Sequence, residues 1–172
     1  MKELRWAMAT FRVAMGVTFL SPVADRFGLW GPAGTPGVAW GGFDPFLDYT
    51  GLLLWFLPAS LVPIAGWAAT VLEIVLAVGL LVGIGLRVFA FASGLLLTVF
   101  AVTMTAAFGP EPPLSYSVWT AAAGAFLLAS LRPASAESVA AAEAVAAGRE
   151  HPQQSHSPDR AEPGTASDPG SV

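Results

Sequence analysis

Two ionisable residues, Arg12 and Glu73, lie inside long apolar stretches of this sequence. Charged residues in such stretches are costly in a bilayer and are usually paired or functional. At about 1.5 Å per helical residue, Arg12 lies roughly 20 Å from Asp25, and Glu73 roughly 15 Å from Pro63. In two antiparallel helices these depths differ by about 5 Å, which an arginine side chain can bridge. We therefore hypothesise an Arg12–Glu73 ion pair, which serves either structure alone or a binding cavity.

A second group of polar residues, Asp25 and Arg26, follows the first apolar stretch. With Asp44 or Asp48 they could form a polar mouth, or they could simply lie at the membrane interface.

Small and hydroxylated residues also recur at helical spacing, and small residues let membrane helices pack closely. These stripes are Gly66, Thr70, Glu73 and Ala77; Gly94, Thr98 and Thr105; and Tyr116, Thr120 and Gly124. Helix packing is their favoured interpretation. The candidate polar membrane site comprises Arg12, Glu73, Asp25, Arg26, Thr70 and Tyr116.

The residue types that usually carry metals or covalent chemistry are scarce. The sequence has no cysteine, and its two histidines, His151 and His156, lie near the C-terminal end. Thiolate iron–sulfur clusters, cysteine zinc sites and a cysteine nucleophile are therefore excluded. Gly79, Gly83 and Gly85 follow no strand, so they are not a nucleotide fingerprint. We expect no metal, no intrinsic cofactor and no catalytic activity of the chain alone.

The composition is that of a membrane protein. Apolar residues make up 55% of the chain and charged residues 12%, whereas soluble domains carry about 25% charged residues. From Pro133 onward there are six acidic residues and two arginines, which account for the whole formal net charge of −4. Residues 1–132 sum to zero and have no basic patch, so a nucleic-acid partner is not expected.

Four apolar segments are long enough to cross a bilayer, which takes about 20 residues as a helix. They are residues 6–24, 63–85, 88–108 and 114–131. Between the first two, a Gly/Pro-rich segment contains the aromatics Phe27, Trp30, Trp40, Phe43, Phe46 and Tyr49, which are typical of the headgroup level. Phe46–Leu57 is predicted to form a short interfacial helix that ends at Pro58. The predicted fold is an all-α membrane protein, a four-transmembrane-helix bundle in residues 1–132.

Charge placement predicts the orientation of this bundle. The helix ends that share one side are flanked by Lys2, Arg5, Arg87 and Arg132. The positive-inside rule therefore places both termini in the cytoplasm. Residues 133–172 are predicted to be a cytoplasmic tail. Helix propensity favours a helix over Ala136–Ala147, and the polar composition from Gly148 onward indicates disorder.

Three stretches of the sequence resemble the DoxX-like family of small four-helix bacterial membrane proteins. They are Arg12–Leu20, Asp25–Gly28, and Ala69–Gly83 followed by Leu86-Arg87. That family typically shows a glutamate followed by a Gly/Leu-rich run that ends near an arginine, as Glu73 to Arg87 does here. Many relatives have a lysine after the first helix, where this chain has Arg26, which keeps the charge but changes its geometry. The resemblance covers about residues 5–131.

The resemblance implies a bacterial or archaeal cytoplasmic-membrane protein. Some relatives are linked to a thiosulfate:quinone oxidoreductase and others to membrane-bound oxidative-stress assemblies. This predicts an accessory subunit that docks a redox partner protein or a quinone. Two alternatives stay open: a small-molecule binder or transporter that uses an Arg12–Glu73 cavity, and a structural or assembly factor. The transporter interpretation favours a homo-oligomer, because inverted-repeat transporters use more helices than one copy supplies.

Overall fold

The polypeptide forms helices connected by short turns and one longer irregular segment. The computed structural model of the chain describes residues 2–131 and Val145. Its helices are α1 (Lys2–Arg26), α2 (Phe43–Leu53), α3 (Val62–Val82), α4 (Leu86–Phe108), α5 (Glu111–Ser115) and α6 (Val118–Ser130), and a 3₁₀ turn (Ala59–Leu61) leads directly into α3. No strand occurs within these described residues, and the predicted all-α class is confirmed.

Three of the helical segments are long and apolar enough to cross a membrane. They are Lys2–Arg26, Ala59–Val82 and Leu86–Phe108, with 25, 24 and 23 residues. At about 1.5 Å per residue each exceeds the roughly 30 Å of a hydrocarbon core. They coincide with the first three predicted spans, except that α3 ends at Val82 rather than at residue 85. The reason is local, because Gly83 and Gly85 have left-handed φ angles of 80° and 59° that end α3 and start α4.

The fourth predicted span, residues 114–131, is divided in two. The chain turns after Gly109, and α5 begins with Glu111 and two prolines. Ser117 then adopts a left-handed φ of 56°, which interrupts the helix before Val118. The helix that follows, α6, has 13 residues, or roughly 20 Å. The prediction of one continuous helix over this segment is therefore wrong.

The predicted helix Phe46–Leu57 exists with shifted bounds, as α2 (Phe43–Leu53). It starts directly after Gly42 and includes Pro45 in its first turn. Proline is tolerated there because the N–H groups of the first turn have no partner within the helix. Phe46 and Thr50 form its buried face, and α2 packs on α3. Its location at the membrane interface stays a prediction.

Close helix contacts fix how α1 lies along α3. Gly16 on α1 sits so near Leu81 and the carbonyl oxygen of Ala77 on α3 that a Cβ atom would clash. Likewise, α4 packs along α6, and Gly94 of α4 faces the ring of Phe126 on α6. Glycines at such contacts let membrane helices approach closely. The α1–α3 contact decides which polar residues of the two helices can meet.

The helices from Lys2 to Ser130 belong to one unit, which ends at Leu131. The predicted tail, residues 133–172, lies outside the described residues apart from Val145, which is helical. The helix predicted over Ala136–Ala147 and the disorder predicted from Gly148 therefore stay predictions.

Candidate functional site

A buried polar cluster joins the end of α1 to the middle of α3. Arg26 and Glu73 are 4% and 2% exposed, and Thr70 is fully buried. Arg26 donates from Nη1 to Thr70 Oγ1 at 2.8 Å and from Nη2 to Glu73 Oε1 at 3.0 Å. Arg26 Nη1 also lies 2.5 Å from Glu73 Oε2. We call Arg26, Thr70 and Glu73 the polar cluster. It combines a buried ion pair with a hydroxyl group.

The hypothesised Arg12–Glu73 ion pair is wrong, because Glu73 pairs with Arg26. The guanidinium of Arg12 instead packs beside Gly83, at the far end of α3. Gly83 lies roughly 15 Å along the helix from Glu73, beyond the reach of the side chain. The estimate of depth in the membrane failed because it assumed that Asp25 lies level with Pro63, at the start of α3. The contact of Gly16 with Ala77 shifts α1 towards the C-terminal end of α3, so that Arg26 reaches Thr70 and Glu73.

Aromatic rings cover the guanidinium of Arg26. Its Cζ atom lies 3.9 Å from the ring centroid of Phe46 and 5.5 Å from that of Trp40. Phe43 packs on Phe46 with centroids 5.5 Å apart and stacks on Trp67 of α3 at 4.3 Å. We call Trp40, Phe43, Phe46 and Trp67 the aromatic cover. A desolvated cation–π contact contributes about 2 kcal/mol, so the cover both stabilises the guanidinium and shields it from water.

Asp25 holds the irregular segment 27–42 in place. Its Oδ2 accepts the backbone N–H groups of Ala39 and Trp40, both at 2.9 Å, and its Oδ1 accepts that of Gly41 at 3.2 Å. The residue is 4% exposed. Gly41 has a φ of 65°, and a Cβ atom there would collide with the backbone of Ala33. This carboxylate, the Asp25 latch, therefore positions Trp40 over Arg26.

The polar mouth predicted from Asp25 and Arg26 with Asp44 or Asp48 does not form. Asp44 and Asp48 are exposed on α2, whereas Asp25 bonds backbone groups and Arg26 turns towards α3. The physical reason is that buried charges must be compensated by hydrogen bonds or opposite charges. Three N–H groups compensate Asp25, and Glu73 compensates Arg26.

The predicted packing residues are buried on α3 but mostly exposed in the α5–α6 segment. Gly66, Thr70, Glu73 and Ala77 are all buried, so the inward face predicted for α3 is confirmed. In the stripe of Tyr116, Thr120 and Gly124, only Gly124 is a packing position, against the ring of Phe11 on α1, and the prediction is wrong for the other two. Tyr116 is 75% exposed in the break between α5 and α6, Thr120 is also exposed, and the buried residues of α6 are Ala122, Ala125, Leu128 and Ala129. The break at Ser117 changes the phase of the helix.

Tyr49 is a further residue near the cover that the spacing argument missed. Its ring lies 6.0 Å from Trp40 and stacks on Phe108 of α4 at 5.6 Å. Burial raises the pKa of the Tyr49 phenol, and Tyr116 adds to the increase. The phenol therefore stays protonated at neutral pH. The sequence shows that this segment is rich in aromatic residues, but anchoring at the lipid headgroups accounts for them as well as a role beside a polar site does.

The polar cluster keeps unused hydrogen-bonding capacity. Arg26 Nε and Glu73 Oε2 are buried and have no hydrogen-bond partner, since the contact of Oε2 with Nη1 lacks hydrogen-bond geometry. A guanidinium can donate five hydrogen bonds and a carboxylate can accept several. Arg26 can therefore donate a further hydrogen bond to a carbonyl oxygen, and Glu73 can accept one from a proton donor. Within residues 2–131, no group of His, Cys, Asp and Glu could hold a metal ion.

These features define a class: an all-helical protein with three membrane-length helices and a covered, buried Arg–Glu pair. No family model, curated protein or solved structure matches the chain. The likeness to the DoxX-like family therefore stays a prediction.

Proposed function

We propose that the chain crosses the membrane four times as a helical bundle, with α5 and α6 together making the fourth crossing. The two helices and the break between them span about 20 residues, or roughly 30 Å. Two observations support this arrangement. First, α6 packs along α4, a membrane-length helix. Second, Ser130 at the end of α6 lines the same groove as Arg87 at the start of α4.

An even number of crossings places both termini on one side, which the positive-inside rule assigns to the cytoplasm. The absence of cysteine allows a direct test with single-cysteine variants in cells. We expect a membrane-impermeant maleimide to label Thr35→Cys, in the exposed loop, in intact cells. Ser157→Cys should react only after permeabilisation. Labelling of both variants in intact cells would show an odd number of crossings, and labelling of Ser157→Cys alone would show the inverted orientation.

We infer that the protein is a DoxX-like accessory subunit of a membrane redox assembly and that the polar cluster binds a quinone headgroup. The observation that carries this proposal is Arg26 Nε, a buried donor without a hydrogen-bond partner, on a guanidinium that lies against the rings of Phe46 and Trp40. A quinone has carbonyl oxygens that accept hydrogen bonds from a guanidinium. Its flat ring stacks on aromatic side chains.

In this proposal each part of the site has a separate task. Arg26 donates to a quinone carbonyl oxygen, and Glu73 keeps the guanidinium oriented. The aromatic cover excludes water, which strengthens these hydrogen bonds. A bound quinone supplies the redox chemistry. Electrons pass between it and a partner protein's cofactor, because residues 1–132 contain no cysteine or histidine to bind a redox metal.

The test is gentle detergent purification followed by mass spectrometry of the lipids, quinones and proteins retained. We expect quinone with the wild-type protein and at least about a tenfold reduction in Glu73→Gln and Arg26→Lys. Glu73→Gln removes the counter-charge and Arg26→Lys removes the forked guanidinium donors, and disrupting a buried, hydrogen-bonded charge pair costs about 2–5 kcal/mol. Arg12→Gln is the matched control, because Arg12 lies at the other end of α3. If neither quinone nor a redox protein accompanies the wild type, the proposal is abandoned.

A structural or assembly role is the second candidate. It is favoured by the position of the polar cluster, which ties α1 to α3 and is covered by aromatic rings. In that case Glu73→Gln lowers the abundance of the assembled complex, while the quinone retained per purified protein stays unchanged. The same mass-spectrometric experiment therefore separates the two candidates.

A further inference from the structure

A groove lies between α4 and α6, away from the polar cluster. Its volume is about 510 Å³, within the roughly 300–1,000 Å³ of small-molecule sites. Arg87 and Ser130 line one end, and Val88, Phe91, Ala92 and Phe126 line its length. The rings of Phe91 and Phe126 meet edge to face with centroids 5.5 Å apart. The groove is therefore an open, largely apolar surface with one cationic end.

The end of the protein that carries Arg87 is basic. The contact of Arg12 with Gly83 places the first half of α1 beside the α3–α4 turn, so Lys2, Arg5 and Arg12 lie at the same end as Arg87. Among the described residues, Glu3 is the acid in this region. The acids Asp25, Asp44, Asp48 and Glu111 belong to segments at the opposite end. A basic pocket between membrane helices is typical of sites for anionic lipid headgroups.

We propose that this groove binds an anionic phospholipid from the leaflet at that end of the helices. Arg87 is exposed at the first turn of α4, where its guanidinium can pair with the phosphate through two parallel hydrogen bonds. One acyl chain lies along Val88, Phe91 and Phe126. The polar and apolar parts of the groove follow one another in the order in which a phospholipid presents its headgroup and chain. This proposal does not depend on quinone binding at the polar cluster.

The proposal is tested on the full chain in vesicles that contain equal amounts of phosphatidylglycerol and phosphatidylcholine. After mild detergent extraction, native mass spectrometry counts the lipids retained. We expect the wild type to retain one phosphatidylglycerol in preference to phosphatidylcholine. Arg87→Gln should reduce this bound phosphatidylglycerol about tenfold or more, the scale of a charged hydrogen bond.

Two further variants separate a specific site from general surface charge. Arg5→Gln makes the same charge change at the same end without lining the groove, and we expect it to reduce retention by less than about fivefold. Val88→Trp keeps Arg87 but fills the groove from an exposed position, and we expect it to displace the lipid. Equal losses in Arg5→Gln and Arg87→Gln would overturn the proposal, as would equal retention of the two lipids by the wild type.

Discussion

Replacing Glu73 with leucine will destabilise the protein by about 3–5 kcal/mol, whereas replacing Arg26 and Glu73 together with methionine and leucine will recover most of that loss. The single change leaves the guanidinium of Arg26 buried beside apolar groups with no counter-charge. The double change removes both charges and replaces them with apolar groups. Part of the loss remains, because Arg26 also donates to Thr70 and lies against Phe46.

Unfolding in detergent micelles, followed by circular dichroism, measures the free energy of unfolding of each variant. The control cycle combines Arg12→Met with Glu73→Leu. Arg12 lies beside Gly83, so its effect should add to that of Glu73→Leu within about 0.5 kcal/mol. A large coupling energy for Arg12 and Glu73, with none for Arg26 and Glu73, would contradict the observed pairing.

The same double variant distinguishes the two proposed functions. The apolar pair recovers stability but has no guanidinium to donate to a quinone carbonyl oxygen. If the polar cluster binds quinone, Arg26→Met/Glu73→Leu is stable and retains none. If the pair is architectural, the double variant accumulates and assembles almost like the wild type. Stability and ligand retention therefore have to be measured on the same preparation.

Hydrophobicity predicted the helices well because helix length and apolar composition are local properties. The first three predicted spans match α1, α3 and α4. The last residue of α3 and the first residue of α6 were less predictable, since each depends on a single backbone conformation. Ser117 shows this most clearly, because a left-handed φ is uncommon for serine and the residues beside it do not predict a break in the helix.

The polar site was predictable in composition but not in pairing. Glu73, Thr70, Arg26 and Asp25 were recognised as charged or hydroxylated residues near apolar segments. Their partners depend on how far α1 is shifted along α3, which the contact of Gly16 with Ala77 and Leu81 determines. A shift of a few residues exchanges Arg12 for Arg26 as the partner of Glu73. Spacing within one helix cannot supply that offset.

Asp25→Asn will loosen the segment 27–42 without changing α3. The carboxylate of Asp25 accepts three backbone N–H groups, but an asparagine side chain has only one acceptor oxygen. Its NH₂ group must therefore face at least one of the N–H donors. Losing a hydrogen bond to a charged group costs about 1.5–3 kcal/mol. This corresponds to roughly a 10- to 100-fold increase in the population of the open segment.

Hydrogen–deuterium exchange measures this opening directly. We expect protection of the amides of Ala39, Trp40 and Gly41 to fall at least about tenfold, with protection in Val62–Val82 unchanged. Asp44→Asn is the matched control, because Asp44 is an exposed acid on α2. Unchanged protection at residues 39–41 in Asp25→Asn would show that the Asp25 latch does not hold the segment.

Loosening the Asp25 latch separates access to the polar cluster from binding there. Trp40 covers Arg26 and is bonded through its backbone to Asp25, whereas Glu73 and Thr70 bond Arg26 from α3. If quinone enters past the aromatic cover, Asp25→Asn should speed its exchange about tenfold or more, in proportion to the open population. Glu73→Gln, in contrast, reduces the amount bound. A quinone exchange rate that is the same in Asp25→Asn and the wild type would place the entry route elsewhere, between the membrane helices.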